Sequence, residues 1–209
     1  MESGQERMLV IDTCGEAAAV GLSQGASMVA VRQLPERSAS ATVVSAMREL
    51  LSQTGWTLGD LHGVGVVAGP GSFTGVRTGM AAAKGVCEAL GLPLATISRL
   101  EVLAEASGLT AGYALLAAGR DAVYVRALPA GNEFLSSLAP MRQIAAGSSV
   151  VVAELQLADK LERVLLQQIG LQDGLPGLLR SLRSGGVDAA AAEANYVRAE
   201  ADIYRQAGA

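Results

Sequence analysis

The chain has 209 residues, half of them apolar and only 3% aromatic, with a formal charge of −4. This length fits one large domain or two small ones, and the acidic balance argues against a broad basic face for nucleic acid. One histidine excludes a His-x-x-x-His metal pair, and no apolar run approaches the ~18 residues of a membrane span.

Residues 7–12 read as a buried strand, Met8-Leu9-Val10-Ile11 running into Asp12-Thr13-Cys14-Gly15. Strands are expected at 17–23 and 28–34, with a Gln24-Gly25 turn between them, so three strands in meander order precede the first helix. That helix is predicted over 41–54, capped by Ser38 or Ser40 and stopped by Gly55. Val43, Met47, Leu50 and Thr54 make one stripe on it, widened by Val44 and Leu51.

A strand over 63–68 leads into Gly69-Pro70-Gly71-Ser72-Phe73-Thr74-Gly75-Val76-Arg77. A strand, a Gly-rich hydroxyl-bearing turn and a helix start can hold an anion, because the first N–H groups of a helix lack partners. Val76-Arg77 stands where a phosphate-binding loop needs Lys-Ser or Lys-Thr, and Thr74 stands where a dinucleotide fingerprint needs Gly or Ala. Two readings stay open: anion contact through Asp12, Thr13, Gly69, Gly71, Ser72, Thr74, Gly75 and Arg77, or a turn whose glycines let a helix pack closely on a sheet.

The second helix is predicted over 75–90, ending at Gly91. Val76, Met80, Ala83, Cys87 and Leu90 form one stripe, with Gly79, Ala82, Val86 and Ala89 as a small-residue stripe beside it. With both stripes apolar, this helix is covered on two sides, by its own sheet and by either the first helix or another subunit. Cys14 and Cys87 lie far apart and read as reduced, buried thiols of a cytoplasmic protein. His62 reads as a surface loop residue.

A short strand at 94–97 and a helix opened by Ser98-Arg99-Leu100-Glu101, running to about residue 107, close the first half. Strands at 113–118 and 122–128 repeat the strand-turn-strand lengths of the opening, a weak internal repeat. Lesser strands are expected at 134–138 and 149–153, an amphipathic helix over 155–169 and helical propensity at 188–193. The domain division expected is 1–108, 109–194 and a closing segment 195–209 returning to the first lobe.

Three blocks carry a resemblance to a known family: Leu9-Val10-Ile11-Asp12-Thr13; Gly69 to Arg77, continuing through Lys84-Gly85 to Gly91-Leu92-Pro93; and Asn195-Tyr196-Val197-Arg198. On these residues the chain resembles the bacterial TsaB (YeaZ) family of tRNA threonylcarbamoyladenosine biosynthesis, a reduced paralogue of the catalytic subunit TsaD. The resemblance implies an α/β fold of the actin/Hsp70/sugar-kinase (ASKHA) kind, with two βββαβα-type halves. It implies a non-catalytic, cytoplasmic subunit that pairs with a TsaD-like protein, is joined by a TsaE-like ATPase and meets tRNA through the complex. No cofactor is expected on this chain, ATP or ADP and metal belonging to the partners, and no membrane partner. Self-association of the free chain is a further expectation.

The family docks through its first two helices, which here implicates Val43, Met47, Leu50, Gly79, Met80, Ala82, Ala83 and Cys87. The chain departs from the family at Arg37-Ser38-Ala39-Ser40, which lacks the common histidine. It departs again at Ala117-Ala118-Gly119 and Ala122, which lack the common acidic and basic residues. The alternative function is an enzyme of the same fold, nucleotide-binding or glycoprotease-like. Asp12 favours the first, and the lone histidine weighs against the second.

Overall fold

A computed structural model of the chain describes residues 5–35 and 39–197. The chain groups into two compact units, one comprising Met1–Arg99 with Gly170–Ala194, the other Leu100–Ile169 with the residues from Asn195 on. The segment that rejoins the first unit is therefore 170–194, which the sequence pattern alone places in the second half. The expected return of 195–209 lies largely outside the described residues.

The first unit is a five-stranded sheet in the order β3-β2-β1-β4-β5. Its strands are β1 (Arg7–Asp12), β2 (Ala19–Gln24), β3 (Ser27–Gln33), β4 (Gly63–Val67) and β5 (Leu94–Ile97). The β1-β2-β3 meander is antiparallel, while β1-β4 and β4-β5 are parallel, the chain passing from β3 to β4 and from β4 to β5 through a helix each time. Alternation along the strands gives each face its own core. Leu9, Ile11, Val64 and Val66 pack with α1 (Ala39–Thr54) and α2 (Phe73–Leu90), where Val43, Met47, Leu50, Met80, Ala83 and Cys87 are buried. Gly55 ends α1 at φ 69 and Gly91 caps α2 at φ 65, the left-handed conformation that glycine adopts without a Cβ penalty.

The other face of this sheet is covered by a helix at Leu171–Arg183, on which Leu171, Leu175, Leu178 and Leu179 are buried. The sheet admits it through missing side chains. A Cβ on Gly63 would meet Leu182, one on Gly65 would meet Leu178, and one on the helix's own Gly177 would meet Ile97. Such close approach gains dispersion contact that bulkier residues would forbid. The following strap returns across the α2 side, with Val187 bridging Leu94 and Ala189 and Ala192 joining the core beneath α1 and α2.

The second unit repeats the plan. Its sheet runs β10-β9-β6-β7-β8, the same order as β5-β4-β1-β2-β3. The strands are β6 (Gly112–Ala117), β7 (Ala122–Leu128), β8 (Glu133–Ser137), β9 (Val150–Val152) and β10 (Leu165–Leu166). The repeat read from the strand-turn-strand lengths is thus a repeat of topology. α3 (Arg99–Ser107) covers one face, with Leu100, Leu103 and Ala104 on Ala114, Leu116 and Val151. The other face carries α4 (Leu138–Gly147) and α5 (Leu155–Ala158), with Leu138, Met141, Ala145 and Leu157 on Leu115, Val123 and Val125.

Three elements differ from the sequence reading. The helix expected over 155–169 is the single turn α5 followed by β10, and α4 was not anticipated. A long helix not expected from the sequence, hereafter α6, lies at Leu171–Arg183, and the helical propensity of 188–193 yields only turns. The sequence reading assigns no element there, where Gly174, Pro176 and Gly177 interrupt the leucine pattern. Gly174 and Gly177 are in fact buried with the leucines of α6, so packing overrides weak helix propensity there.

Candidate functional site

The motif loop follows the end of β4. Ser72 caps α2, its Oγ accepting the Gly75 N–H at 3.3 Å while its carbonyl accepts the Val76 N–H at 2.8 Å. The loop is tied on both sides: the Ser72 N–H donates to the Cys14 carbonyl at 2.8 Å, and the Arg99 N–H donates to the Gly69 carbonyl at 2.7 Å. Thr13, itself buried, donates its hydroxyl to the Gly75 carbonyl at 2.6 Å. A Cβ on Gly71 would meet the Cys14 carbonyl, one on Gly75 the Thr13 carbonyl, and one on Gly79 the Thr13 hydroxyl. Backbone lies on backbone across this contact, and only glycine allows it.

Asp12 is equally committed. Its carboxylate accepts the Cys14 N–H at 2.9 Å, the loop-capping role that the short Asp side chain performs in turns. Burial raises its pKa above the ordinary 3.8, with the Arg99 guanidinium and the Cys14 bond working against that rise. The Cys14 thiol, hydrogen-bonded to the Val67 carbonyl at 3.1 Å, is pushed well up by burial and then by the Asp12 charge. The loop's hydroxyls and carboxylate thus hold the chain together. Thr74 is exposed, and Arg77 stacks its guanidinium on the Phe73 ring, 3.8 Å from the centroid.

Behind the loop, α1 and α2 enclose an apolar groove of about 350 Å³. Val44 and Met47 line it from α1, and Ala81, Ala82, Gly85, Val86, Ala89 and Leu90 line it from α2. Leu58, on the 3₁₀ turn Leu58–Asp60, supplies a further wall. Val44 is 57% exposed, Leu58 42% and Leu90 38%, so the groove opens to solvent with large apolar side chains at its rim. That turn is well braced: Asp60 accepts the Thr57 N–H at 2.8 Å and its hydroxyl at 2.7 Å, and pairs with Arg7 at 3.0 Å. Arg7 in turn lies over the Trp56 ring.

The structure corrects most of the interface residues expected from the sequence. Val43, Leu50, Gly79, Met80, Ala83 and Cys87 are buried against the sheet, Ala83 completely. They form the sheet-facing stripe of their helices, so they are core. Met47 is buried yet reaches the groove floor, and Ala82 lines the groove half-buried. The open stripe is Ala81, Gly85 and Ala89 with Val86, one step around α2 from the stripe chosen. Two amphipathic stripes of similar apolarity could not be ranked without knowing which faced the sheet. Val44, read from the sequence as widening the stripe of α1, and Leu58 are large apolar residues that the sheet does not bury.

His62 sits exposed on the turn before β4, its Nδ1 accepting the Arg7 N–H at 3.1 Å. Ser72 follows the other end of that strand, and five residues of strand hold the two about 17 Å apart along it. They cannot form a nucleophile–base pair. Among the described residues, no three His, Cys, Asp or Glu side chains gather as a metal site, and no helix is long and apolar enough to cross a membrane.

A family model described as TsaD, tRNA N6-adenosine threonylcarbamoyltransferase, matches residues 33–163. The TsaB protein of Escherichia coli K12 is 32% identical over 116 residues, 56% of this chain and 50% of that protein. YeaZ from Pseudomonas aeruginosa superposes with a TM-score of 0.71 over 92% of this chain and 100% of that one. This chain belongs to the TsaB/YeaZ family. A second P. aeruginosa structure, described as similar to the peptidase YeaZ, reaches a TM-score of 0.75 over 93% of this chain, and both are 24% identical to it. The ethanolamine utilization protein EutJ of Carboxydothermus hydrogenoformans shares the fold at a TM-score of 0.51. The two matched five-stranded units are those of the ASKHA fold expected from the sequence. A tRNA N6-adenosine threonylcarbamoyltransferase of Sorangium cellulosum is 30% identical over 90% of this chain but 58% of its own length. This TsaB-family chain therefore spans about half the length of the curated relatives it matches.

Proposed function

We propose that the chain is a non-catalytic subunit in the biosynthesis of tRNA threonylcarbamoyladenosine, docking a TsaD-like transferase subunit in the groove between α1 and α2. A TsaE-like ATPase joins that pair, and the assembly modifies adenosine 37 of tRNAs that read codons beginning with A. The observation that carries this reading is the groove itself. It is open, apolar and lined along α2 largely by Ala and Gly, so a partner helix can approach closely and bury the rim residues Val44, Leu58 and Leu90. The motif loop supports it from the other side. Ser72 of the loop and the adjoining Thr13 are engaged in holding the start of α2 in place, which makes the loop a mount for the docking helix.

Reconstitution of the tRNA modification from purified components tests the proposal. Omitting this chain is expected to abolish modification and restoring it to recover the full rate, while the chain alone modifies no tRNA. Full modification without it, or turnover by the isolated chain, would overturn the reading.

A further inference from the structure

The 3₁₀ turn that walls the α1–α2 groove is braced by one residue of β1. Arg7 meets residues 56–62 through both its side chain and its backbone. Its guanidinium pairs with Asp60 at 3.0 Å and lies over the Trp56 ring, 4.6 Å from the centroid. Its N–H donates to His62 Nδ1 at 3.1 Å, and its carbonyl accepts the His62 N–H at 2.8 Å. Asp60 carries the brace onward by accepting the Thr57 N–H and hydroxyl. Trp56 is tied back to α1, its N–H donating to the Leu51 carbonyl at 2.9 Å.

This bracket exceeds what the sheet requires. Leu61 is buried in the core, and the His62 backbone bond already joins the segment to β1. Gly55 and Gly59 would otherwise leave the connection loosely determined, because glycine restricts the backbone least. Leu58 stands between the braced residues Thr57 and Asp60, and its half-exposed side chain lines the groove. An exposed ion pair contributes little to stability, since water screens it and two side chains must be ordered to make it. Its effect here is to fix the residues on either side of Leu58 before a partner arrives. The partner is then spared the entropic cost of ordering that wall.

We infer that Arg7 is a positioning residue for partner docking: through Asp60 and Trp56 it sets Leu58 as a preformed wall of the α1–α2 groove. This rests on the docking reading and deepens it, giving a role to a residue outside the groove lining. Arg7 acts through Leu58, so its contribution depends on Leu58 being present.

The test is a titration of this chain into the reconstituted tRNA modification, reading the half-saturating concentration and the saturated rate separately. Arg7→Gln, which keeps the backbone bonds of β1, is expected to raise the half-saturating concentration about fivefold. The saturated rate and the urea unfolding midpoint are expected to stay close to those of the parent chain. Asp60→Asn, which keeps an acceptor for Thr57, is expected to act in the same way. Arg7→Lys retains a cation for Asp60 and Trp56 and is expected to recover most of the loss. In a Leu58→Ala background Arg7→Gln is expected to add nothing, because the wall it positions is gone. An Arg7→Gln chain that titrates like the parent, or a fivefold rise that persists beside Leu58→Ala, would overturn the inference. Ala89→Arg on the groove wall separates the two claims. If it abolishes modification while Arg7→Gln has no effect, the positioning role alone falls; if it changes nothing, the docking reading falls and this inference with it.

Discussion

Thr13 and Gly75 meet twice: the Thr13 hydroxyl donates to the Gly75 carbonyl at 2.6 Å, and the Gly75 α-carbon faces the Thr13 carbonyl with no room for a methyl group. Gly75→Ala is therefore expected to destabilise the chain by about 1–3 kcal/mol, the usual cost of overpacking against backbone that cannot retreat. Thr13→Val removes only the side-chain hydrogen bond, so a smaller loss of about 1 kcal/mol is expected. Urea unfolding midpoints measure both. Equal stability of Gly75→Ala and the parent chain would show that the motif loop is not packed as described.

The two stripes of α2 separate in one pair of variants. Ala83 is fully buried, so Ala83→Arg places a charge in the core and is expected to prevent folding. Ala89 is exposed on the groove wall, and Ala89→Arg is expected to change stability by no more than about 0.5 kcal/mol while abolishing co-elution with a TsaD-like partner. Co-elution that survives Ala89→Arg in a folded chain would remove the groove from the proposal.

Gly177 and Ile97 form a second tight pair, because a Cβ at 177 would meet the Ile97 Cδ1. Gly177→Ala is expected to cost about 1–3 kcal/mol through overpacking. Ile97→Val trims the offending methyl, so the double variant is expected to recover part of that loss. Strictly additive effects in the four-member cycle would mean that α6 does not press on β5 at this point.

Asp12 makes an unusual pH prediction. Its folded pKa is raised, so the folded chain favours the protonated carboxyl and the ionised form weakens the fold at neutral pH. As pH falls through the raised value, that penalty is relieved. Asp12→Asn, which keeps an oxygen for the Cys14 N–H, is expected to be more stable than the parent at neutral pH, the gap closing in acid. A variant less stable at neutral pH would mean that attraction to Arg99 outweighs desolvation.

The thiols titrate in the alkaline range. Burial, aided by Glu88, moves Cys87 from 9.0 to about 11, and burial moves Cys14 well up from the same starting value. Both folded thiols are expected to resist thiol reagents at about pH 8, where a free cysteine reacts readily through its thiolate. From about pH 9 the unfolded chain ionises Cys87 first, so the folded state loses stability between there and about 11. Rapid native labelling of Cys87 at neutral pH would contradict its burial.

Much of the first unit was legible because its patterns are local. β1, α1 and α2 each carry an apolar period bounded by Gly or a turn, and Gly55 and Gly91 end the helices as the sequence suggests. The motif loop was legible as a strand-turn-helix, and the carbonyls of Thr13 and Cys14 lie where its glycines allow close packing. What stayed hidden depends on contacts distant in sequence. Pro176 and Gly177 disguise α6 until Ile97 is known to lie against it, and Val44 and Leu58 become a site only when α2 stands beside them.

The first unit is completed by residues that arrive last. A ribosome that has delivered Met1–Arg99 has made all five strands and both helices of one face, yet α6 follows only after Leu100–Ile169 of the second unit has been synthesised. Until then Met8, Gly63, Gly65 and Ile97 face solvent on a nascent sheet. A fragment ending before Gly170 would keep that face bare permanently, so the first half expressed by itself is expected to aggregate even though it contains the entire α1–α2 groove.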